Sequence, residues 1–200
     1  MSGPHAEAVA LLTAWTPSGA GQEELRGQYL AHLAAHPDAL AKAGPPAHLT
    51  ASCLVLDETG QRALLVLHRK GRFWVQPGGH VEASDPSLAA SALREAVEET
   101  GLPAAPGGLS LRLGGAPADL DRHALPGAFG RCSEHLDVAF LATAPASAVP
   151  VVSDESDGVA WWPLDALPEG VVADLPPRLH RAAALLAAEA PAASAPTSAG

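Results

Sequence analysis

The segment from Ser87 to Thr100 constrains the fold of this chain more than any other, because its polarity repeats with the period of an α-helix. Its apolar side chains share one face and can pack against a sheet: Ala89, Ala90, Leu93, Ala96 and Val97. Ser84 or Asp85 can cap the start of the helix, where Pro86 suits the first turn. Gly101 is placed to end it. The segment predicts a rigid helix that needs a partner layer.

Three carboxylates occupy another face of the same helix. Glu95, Glu98 and Glu99 stand at positions i, i+3 and i+4, so they fall within roughly one 100° sector. Like charges at this spacing repel, and Arg94 is the one basic residue nearby. Hard oxygen ligands suit Mg²⁺, with Mn²⁺ as a possible substitute. The face therefore indicates a metal site, although a solvated acidic surface is the usual explanation of such a cluster taken alone.

Short apolar runs around this helix predict a sheet. Thr50 to Leu56 and Ala63 to Leu67 indicate a buried hairpin. Phe73 to Val75 can begin another strand, whereas Pro77 to Gly79 is expected to be a loop. Three further strands and a final helix are predicted at Ser110 to Leu113, Leu136 to Ala142, Gly158 to Trp162 and Leu175 to Glu189.

The two ends of the chain differ from its middle. Residues 1–46 predict a helical extension, with helices at His5 to Trp15 and Gln22 to Lys42, the second kinked or split at Pro37. We expect this extension to pack on the main domain, residues 47–189, although a partner contact is the open alternative. Residues 190–200 are rich in Ala, Pro, Ser and Gly and are predicted to be disordered.

Charge and cysteine content restrict the partners. Twelve basic against twenty-two acidic residues give a formal net charge of -10, which argues against nucleic acid polymers and anionic membranes. No apolar run approaches the roughly 20 residues that a membrane-spanning helix needs. Cys53 and Cys132 form no CxxC motif and are expected to be incidental thiols. These features predict a cytoplasmic protein whose substrate is a small molecule.

The segment from Pro77 to Leu102 resembles the Nudix box, whose pattern is G-x5-E-x7-R-E-U-x-E-E-x-G-U with U apolar. Its second half, Arg94 to Leu102, matches at every specified position. In the first half, counted from Gly79, Asp85 replaces the glutamate and eight residues rather than seven separate it from Arg94. The resemblance extends over about residues 48 to 170, and it implies an α/β/α sandwich around a mixed sheet.

The resemblance also implies roles for individual residues. Glu95, Glu98 and Glu99 would be metal ligands, together with the carbonyl of Gly78, and Arg94 would orient the carboxylates. Either Glu95 or Glu98 would act as the general base.

Relatives often supply a further metal-binding acid from a loop. Glu155 is the candidate for that position in this chain, although a solvated loop acid is an equally good interpretation. Asp137 and Glu134 are weaker candidates for the same role.

The implied activity is metal-dependent hydrolysis of a diphosphate bond in a nucleoside diphosphate derivative, in which water attacks one phosphorus. Arg69, Arg72 and His80 are predicted to contact the substrate. The spacing of His80, His123 and His135 does not predict a zinc site. A homodimer is possible. The alternative function is a non-catalytic Nudix-like nucleotide-binding sensor or interaction domain, although a pure binder has no need of mutually repelling acids.

Overall fold

The computed structural model describes residues 3–125, 132–154 and 156–189. An eight-stranded sheet forms the middle layer. Its strands are β1 (Ala47–Asp57), β2 (Arg62–His68), β3 (Trp74–Val75), β4 (Gly78–His80), β5 (Ser110–Leu111), β6 (Pro117–Ala124), β7 (Glu134–Ala144) and β8 (Ser156–Pro163). The helices are α1 (Pro4–Ala14), α2 (Ala20–Ala35), α3 (Leu88–Thr100) and α4 (Leu175–Glu189).

Strand β1 lies at the centre of the sheet. It runs antiparallel to β2 and β4 and parallel to β7, with which it pairs from Ala47 opposite Glu134 to Asp57 opposite Ala144. Strand β7 also pairs antiparallel with β5 and β6, and β2 pairs with β3 and β8. The sheet is therefore mixed, and the first halves of β1 and β7 meet beside β4.

Alternate residues of the central strands enter two separate hydrophobic cores, as expected for strands with helices on both faces. Cys53 and Val55 pack with residues of α1, α2 and α3. Leu54 and Leu56 pack on the opposite face with residues of α4. The predicted α/β/α sandwich is confirmed, and the carboxylate-bearing helix α3 is fixed by its apolar face against β1.

The N-terminal helices pack against the sheet. The Tyr29 hydroxyl is fully buried and donates to the carbonyl of Asp121 at 2.6 Å. The Gln22 amide exchanges two hydrogen bonds with the backbone of Leu120. Helix α2 ends at Ala35, so its predicted continuation to Lys42 is wrong. Pro37 explains the early end, because it favours an extended backbone at His36, where φ is -131°.

The structure differs from two further predictions, the cap of α3 and the loop after Gln76. The Ser87 hydroxyl caps α3 by accepting a hydrogen bond from the Ala90 N–H at 3.1 Å, whereas Ser84 and Asp85 do not cap it. Gly78–His80 pairs with β1, so the expected loop is partly a strand. Glycine suits this strand because a Cβ on Gly78 would lie 2.4 Å from the Ser52 Cβ.

Other boundaries agree closely with the sequence. Helix α4 spans its predicted range, and Gly101 ends α3 with the left-handed φ of 68°. Strand β6 was not predicted. None of the helices within the described ranges is long and apolar enough to cross a membrane. The predicted tail, residues 190–200, lies outside the described residues, and the domain boundary after residue 46 stays a prediction.

Candidate active site

The guanidinium of Arg94 organises the site. Its Nε and Nη2 donate to the two oxygens of Asp85 at 3.0 and 2.9 Å. Its Nη1 lies 3.0 Å from a carboxylate oxygen of both Glu95 and Glu98, and Nη2 also donates to the His80 carbonyl at 3.0 Å. The hydrogen bonds with Asp85 and the nearby negative charges raise the pKa of Arg94. Arg94 thus fixes the helix, the loop and two carboxylates relative to one another.

Asp85 stands where the sequence departs from the Nudix box, and its side chain has a structural role there. Its side chain is only 6% exposed, and besides Arg94 it accepts a hydrogen bond from the Glu82 N–H at 2.8 Å. The hydrogen bonds from Arg94 lower its pKa, so it is ionised at neutral pH. The shorter side chain and the additional residue before the helix therefore preserve a two-point contact with Arg94.

The three glutamates form what we call the carboxylate edge: Glu95, Glu98 and Glu99. Glu99 is buried and accepts a hydrogen bond from the Gly78 N–H at 2.8 Å. The Glu95 carboxylate lies 2.7 Å from the point that a Cβ on Gly79 would occupy. The side chain of Glu98 is 57% exposed. The edge thus runs from the sheet to solvent, and glycine allows β4 to approach it.

The residues of the carboxylate edge fit a hard divalent cation. They offer oxygen donors on one helix face next to Gly78, and Glu95 and Glu98 already share one cationic donor, Nη1 of Arg94. Arg94 brings the carboxylates of Glu95 and Glu98 together, and Glu99 lies against the backbone of Gly78. Their role as ligands stays a prediction.

The predicted further acid, Glu155, lies outside the described residues, so its role also stays a prediction. The two weaker candidates are engaged elsewhere. Glu134 pairs with Arg122 at 2.8 Å. Asp137 is buried and accepts hydrogen bonds from several side chains of the core.

The predicted substrate-binding residues do not converge on the carboxylate edge. Arg69 and Arg72 lie in the turn between β2 and β3, and both donate to Asp157, at 3.2 and 3.1 Å. Their side chains are largely exposed, so a phosphate group could compete with Asp157 for them. His80 contributes its carbonyl to Arg94, while its imidazole packs with His48 and His135.

A cavity of about 140 Å³ opens beside Gly78 and Gly79. Polar residues of the sheet line one part of it, and the ring of Phe73, stacked on His68, lines another. Ser52 and Gln76 donate to Asp137 there, and the buried Arg178 of α4 donates to Asp137 at 3.1 Å. This network was not predicted from the sequence. Thr50 and Ser52, polar residues at alternate positions of an apolar strand, were the signal that could have revealed it.

A family model for the NUDIX domain matches residues 46–184, which is more than half of the chain. The chain therefore belongs to the NUDIX family. The members of this family hydrolyse diphosphate bonds in nucleotide derivatives.

Solved structures share this fold. A NUDIX-family hydrolase from Clostridium perfringens is 21% identical with a TM-score of 0.55, over 70% of this chain and 97% of that chain. An Ap4A hydrolase from C. elegans, in a binary complex, is 18% identical with a TM-score of 0.55, over 70% and 98%. The dihydroneopterin triphosphate pyrophosphohydrolase of E. coli is 14% identical with a TM-score of 0.54, over 70% and 95%. At these identities the likeness shows the fold alone. No curated protein sequence matches this chain significantly.

Proposed function

We propose that this chain is a divalent-metal-dependent hydrolase that cleaves the diphosphate bond of a nucleoside diphosphate derivative. The observation that carries the proposal is the arrangement around Arg94, which holds Asp85, Glu95, Glu98 and the His80 carbonyl together. A purely structural helix face has no need to gather mutually repelling acids around one cation beside a glycine strand.

Each residue of the site has a distinct task. Glu95, Glu98 and Glu99, with the carbonyl of Gly78, would hold Mg²⁺ or Mn²⁺. Bound there, the cation would supply charge neutralisation at the phosphoanhydride and activation of the attacking water. Glu98 reaches solvent and can accept the proton of that water, and Glu95 is the alternative base. Arg94 keeps both carboxylates oriented, and the Gly78 N–H keeps Glu99 in place.

The cavity beside Gly78 supports a nucleotide-like substrate. Aromatic rings can stack on the face of a nucleobase, and Phe73 presents such a ring in the cavity lining. Arg69 and Arg72 lie in the same turn as Phe73. A phosphate group at the cavity mouth could therefore replace Asp157 as the acceptor of their hydrogen bonds. The substrate we propose is therefore a nucleoside whose diphosphate extends from this cavity toward the carboxylate edge.

Replacing Glu98 tests the proposal. The purified chain should hydrolyse at least one compound in a panel of nucleoside diphosphate derivatives when Mg²⁺ or Mn²⁺ is present, and none in excess chelator. Glu98→Gln should lower kcat by about 100-fold or more, because it removes the charge of a ligand or base. Its Tm should change little, since exposed ion pairs contribute about 1 kcal/mol or less.

Glu58→Gln is the matched control, because Glu58 is an exposed glutamate in the turn between β1 and β2. It should leave both turnover and Tm unchanged. Full activity in excess chelator, or an equal loss in the two variants, would contradict the proposal. Nucleotide binding without turnover across the whole panel would favour the sensor instead.

A further inference from the structure

A second set of potential metal ligands lies at the beginning of β1 and β7. We call it the His/Cys cluster, and its members are His48, His80, Cys132 and His135. One ligand atom from each residue can be chosen so that all four lie within 4.8 Å of one another. The ring centroids of the three histidines are separated by 5.1, 5.2 and 5.3 Å. Strand pairing creates the cluster, because His48 stands opposite His135 and β4 brings His80 beside β1.

The Nε2 atoms of the three imidazoles have no hydrogen-bond partner within the described part of the chain. The fully buried His48 places Nδ1 3.1 Å from the Pro45 carbonyl, which can only accept a hydrogen bond. Nδ1 of His48 therefore carries the proton, and its Nε2 presents a lone pair. This Nε2 and those of His80 and His135 are buried, and they find no hydrogen-bond partner among the residues the structure describes. Buried polar atoms are rarely left unpaired, so three in one place form a site suited to a ligand.

The electrostatics of the cluster favour neutral imidazoles. Burial, with smaller effects from nearby positive groups such as Lys42, lowers the pKa of His80 to about 4 and that of His135 to about 3. A metal binds the neutral form of an imidazole.

We infer that His48, His80, Cys132 and His135 bind one Zn²⁺ ion. Three imidazole nitrogens and one thiolate match the ligand types and the four-fold coordination of structural zinc sites. Bond lengths of about 2.0 to 2.3 Å place tetrahedral ligand atoms about 3.3 to 3.7 Å apart, so the widest pair must close by roughly 1 Å. The Pro45 carbonyl orients His48 as backbone carbonyls commonly orient metal-binding histidines. His80, Cys132 and His135 are half-buried, which leaves a route for the ion.

The ion would tie β4 to β1 and to the beginning of β7. The His80 carbonyl is an acceptor of Arg94, so fixing the His80 ring also fixes one contact of the proposed active site. The proposal does not depend on hydrolysis, because Zn²⁺ would be held by nitrogen and sulfur atoms outside the carboxylate edge. The fourth nearby imidazole, His123, places Nδ1 2.7 Å from Asp121 and is not among the four residues whose ligand atoms lie within 4.8 Å of one another.

Zinc content of the untagged full chain tests the inference. After dialysis against buffer with excess Mg²⁺, the protein should retain one Zn²⁺ per chain. Cobalt substitution should give visible bands typical of tetrahedral Co²⁺ and a thiolate-to-cobalt charge-transfer band. Cys132→Ser should abolish that band and weaken Zn²⁺ binding at least tenfold, and His135→Gln should weaken it similarly. Zn²⁺ should raise the Tm of the unmodified protein more than that of either variant.

Two control variants separate this site from the rest of the molecule. Cys53→Ala removes the other thiol, which is buried in the core, and should leave the charge-transfer band intact. Glu98→Gln changes the carboxylate edge and should retain stoichiometric Zn²⁺, whatever its effect on turnover. The inference is overturned if the unmodified protein retains no stoichiometric Zn²⁺. It is also overturned if Cys132→Ser and His135→Gln, shown to be folded by circular dichroism, bind Zn²⁺ as tightly as the unmodified chain.

Discussion

The carboxylate edge and the His/Cys cluster both lie next to β4 but differ in the charge of the atoms that they gather. The edge gathers charged oxygens along a helix and offsets them with the guanidinium of Arg94. The cluster gathers neutral nitrogens between strands, with a thiol beside them and no hydrogen-bonding partner for the Nε2 atoms within the described ranges. Hard cations prefer the first type of site and borderline cations the second. The two proposed metal sites would therefore differ in selectivity and would not form one extended site.

Strand β4 joins the two regions. The Gly78 N–H binds Glu99, and Gly79 lies against the Glu95 carboxylate. His80 then turns its carbonyl to Arg94 and its ring to His48 and His135. Gly78 and Gly79 therefore contact the carboxylate edge, and His80 contacts both regions. Changes in β4 should affect both regions, whereas changes in α3 should affect the carboxylate edge alone.

Arg94→Ala should have the largest effect and should separate the two regions. It leaves Asp85, only 6% exposed, without its bidentate partner, which should lower the free energy of unfolding by about 3 kcal/mol. Turnover should fall by about 100-fold or more, because Glu95 and Glu98 lose their common donor. Urea denaturation and steady-state kinetics measure the two losses.

The same variant, kept below its lowered Tm, should still bind Zn²⁺ stoichiometrically, because none of the cluster's ligands is changed. Arg112→Ala is the matched control. Its partner Glu189 is 30% exposed, so the free energy of unfolding should fall by less than about 1 kcal/mol. Loss of Zn²⁺ binding from the folded Arg94 variant would show that the two regions are not independent and that the contact of Arg94 with the His80 carbonyl couples them.

Gly78→Ala should damage both regions with a somewhat smaller loss of stability. The new Cβ would lie 2.4 Å from the Ser52 Cβ and 2.7 Å from the Ser52 Cα, so β4 must move away from β1. Overpacking of this kind costs about 1–3 kcal/mol, and we expect about 2 kcal/mol here. Because β4 carries His80, Zn²⁺ affinity and metal-dependent turnover should both decrease.

Gly27→Ala is the control for this change, because Gly27 lies inside α2 and a Cβ added there would meet open space. Alanine is the better helix former, so this variant should be more stable by about 0.5 to 1 kcal/mol. Both variants are compared by urea denaturation. If Gly78→Ala reduced turnover without reducing Zn²⁺ affinity, β4 would not link the two sites.

The two regions also differ in how far the sequence predicts them. Arg94, Glu95, Glu98 and Glu99 all lie on one helix, so helical periodicity and the Nudix spacing are enough to place them together. The same local signals predicted Gly101 as the end of α3. Side chains that share one helix could therefore be grouped before the structure.

The His/Cys cluster depends on strand register instead. His48 and His135 are neighbours because β1 and β7 pair in parallel, and no spacing along the chain reveals that pairing. Pro77 to Gly79 was expected to be a loop from its turn-forming residues, yet Gly78 lies in a strand, where the lack of a Cβ allows close approach to Ser52. Ser84, Asp85 and Ser87 can all cap a helix, and the structure shows Asp85 held by Arg94 and the Ser87 hydroxyl at the cap of α3.

Asp57→Asn should have the smallest effect and should leave both regions intact, since Asp57 lies at the far end of β1. Burial opposes ionisation of Asp57, but hydrogen bonds from Arg62, Thr59 and the Gln61 N–H outweigh it and lower its pKa. A carboxyl whose pKa is lower in the folded state stabilises the fold above its unfolded pKa of about 3.9. That stabilisation is lost as the pH falls through the folded pKa. The variant should thus lose about 1 kcal/mol at pH values near 7 and progressively less below about pH 4. Urea denaturation at several pH values measures the difference, while Zn²⁺ content and turnover at neutral pH should match the unmodified chain.

A stability difference that did not change with pH would show that the charge of Asp57 is not what stabilises this turn. Loss of Zn²⁺ or turnover in the folded variant would show that both regions respond to any weakening of β1, rather than to β4.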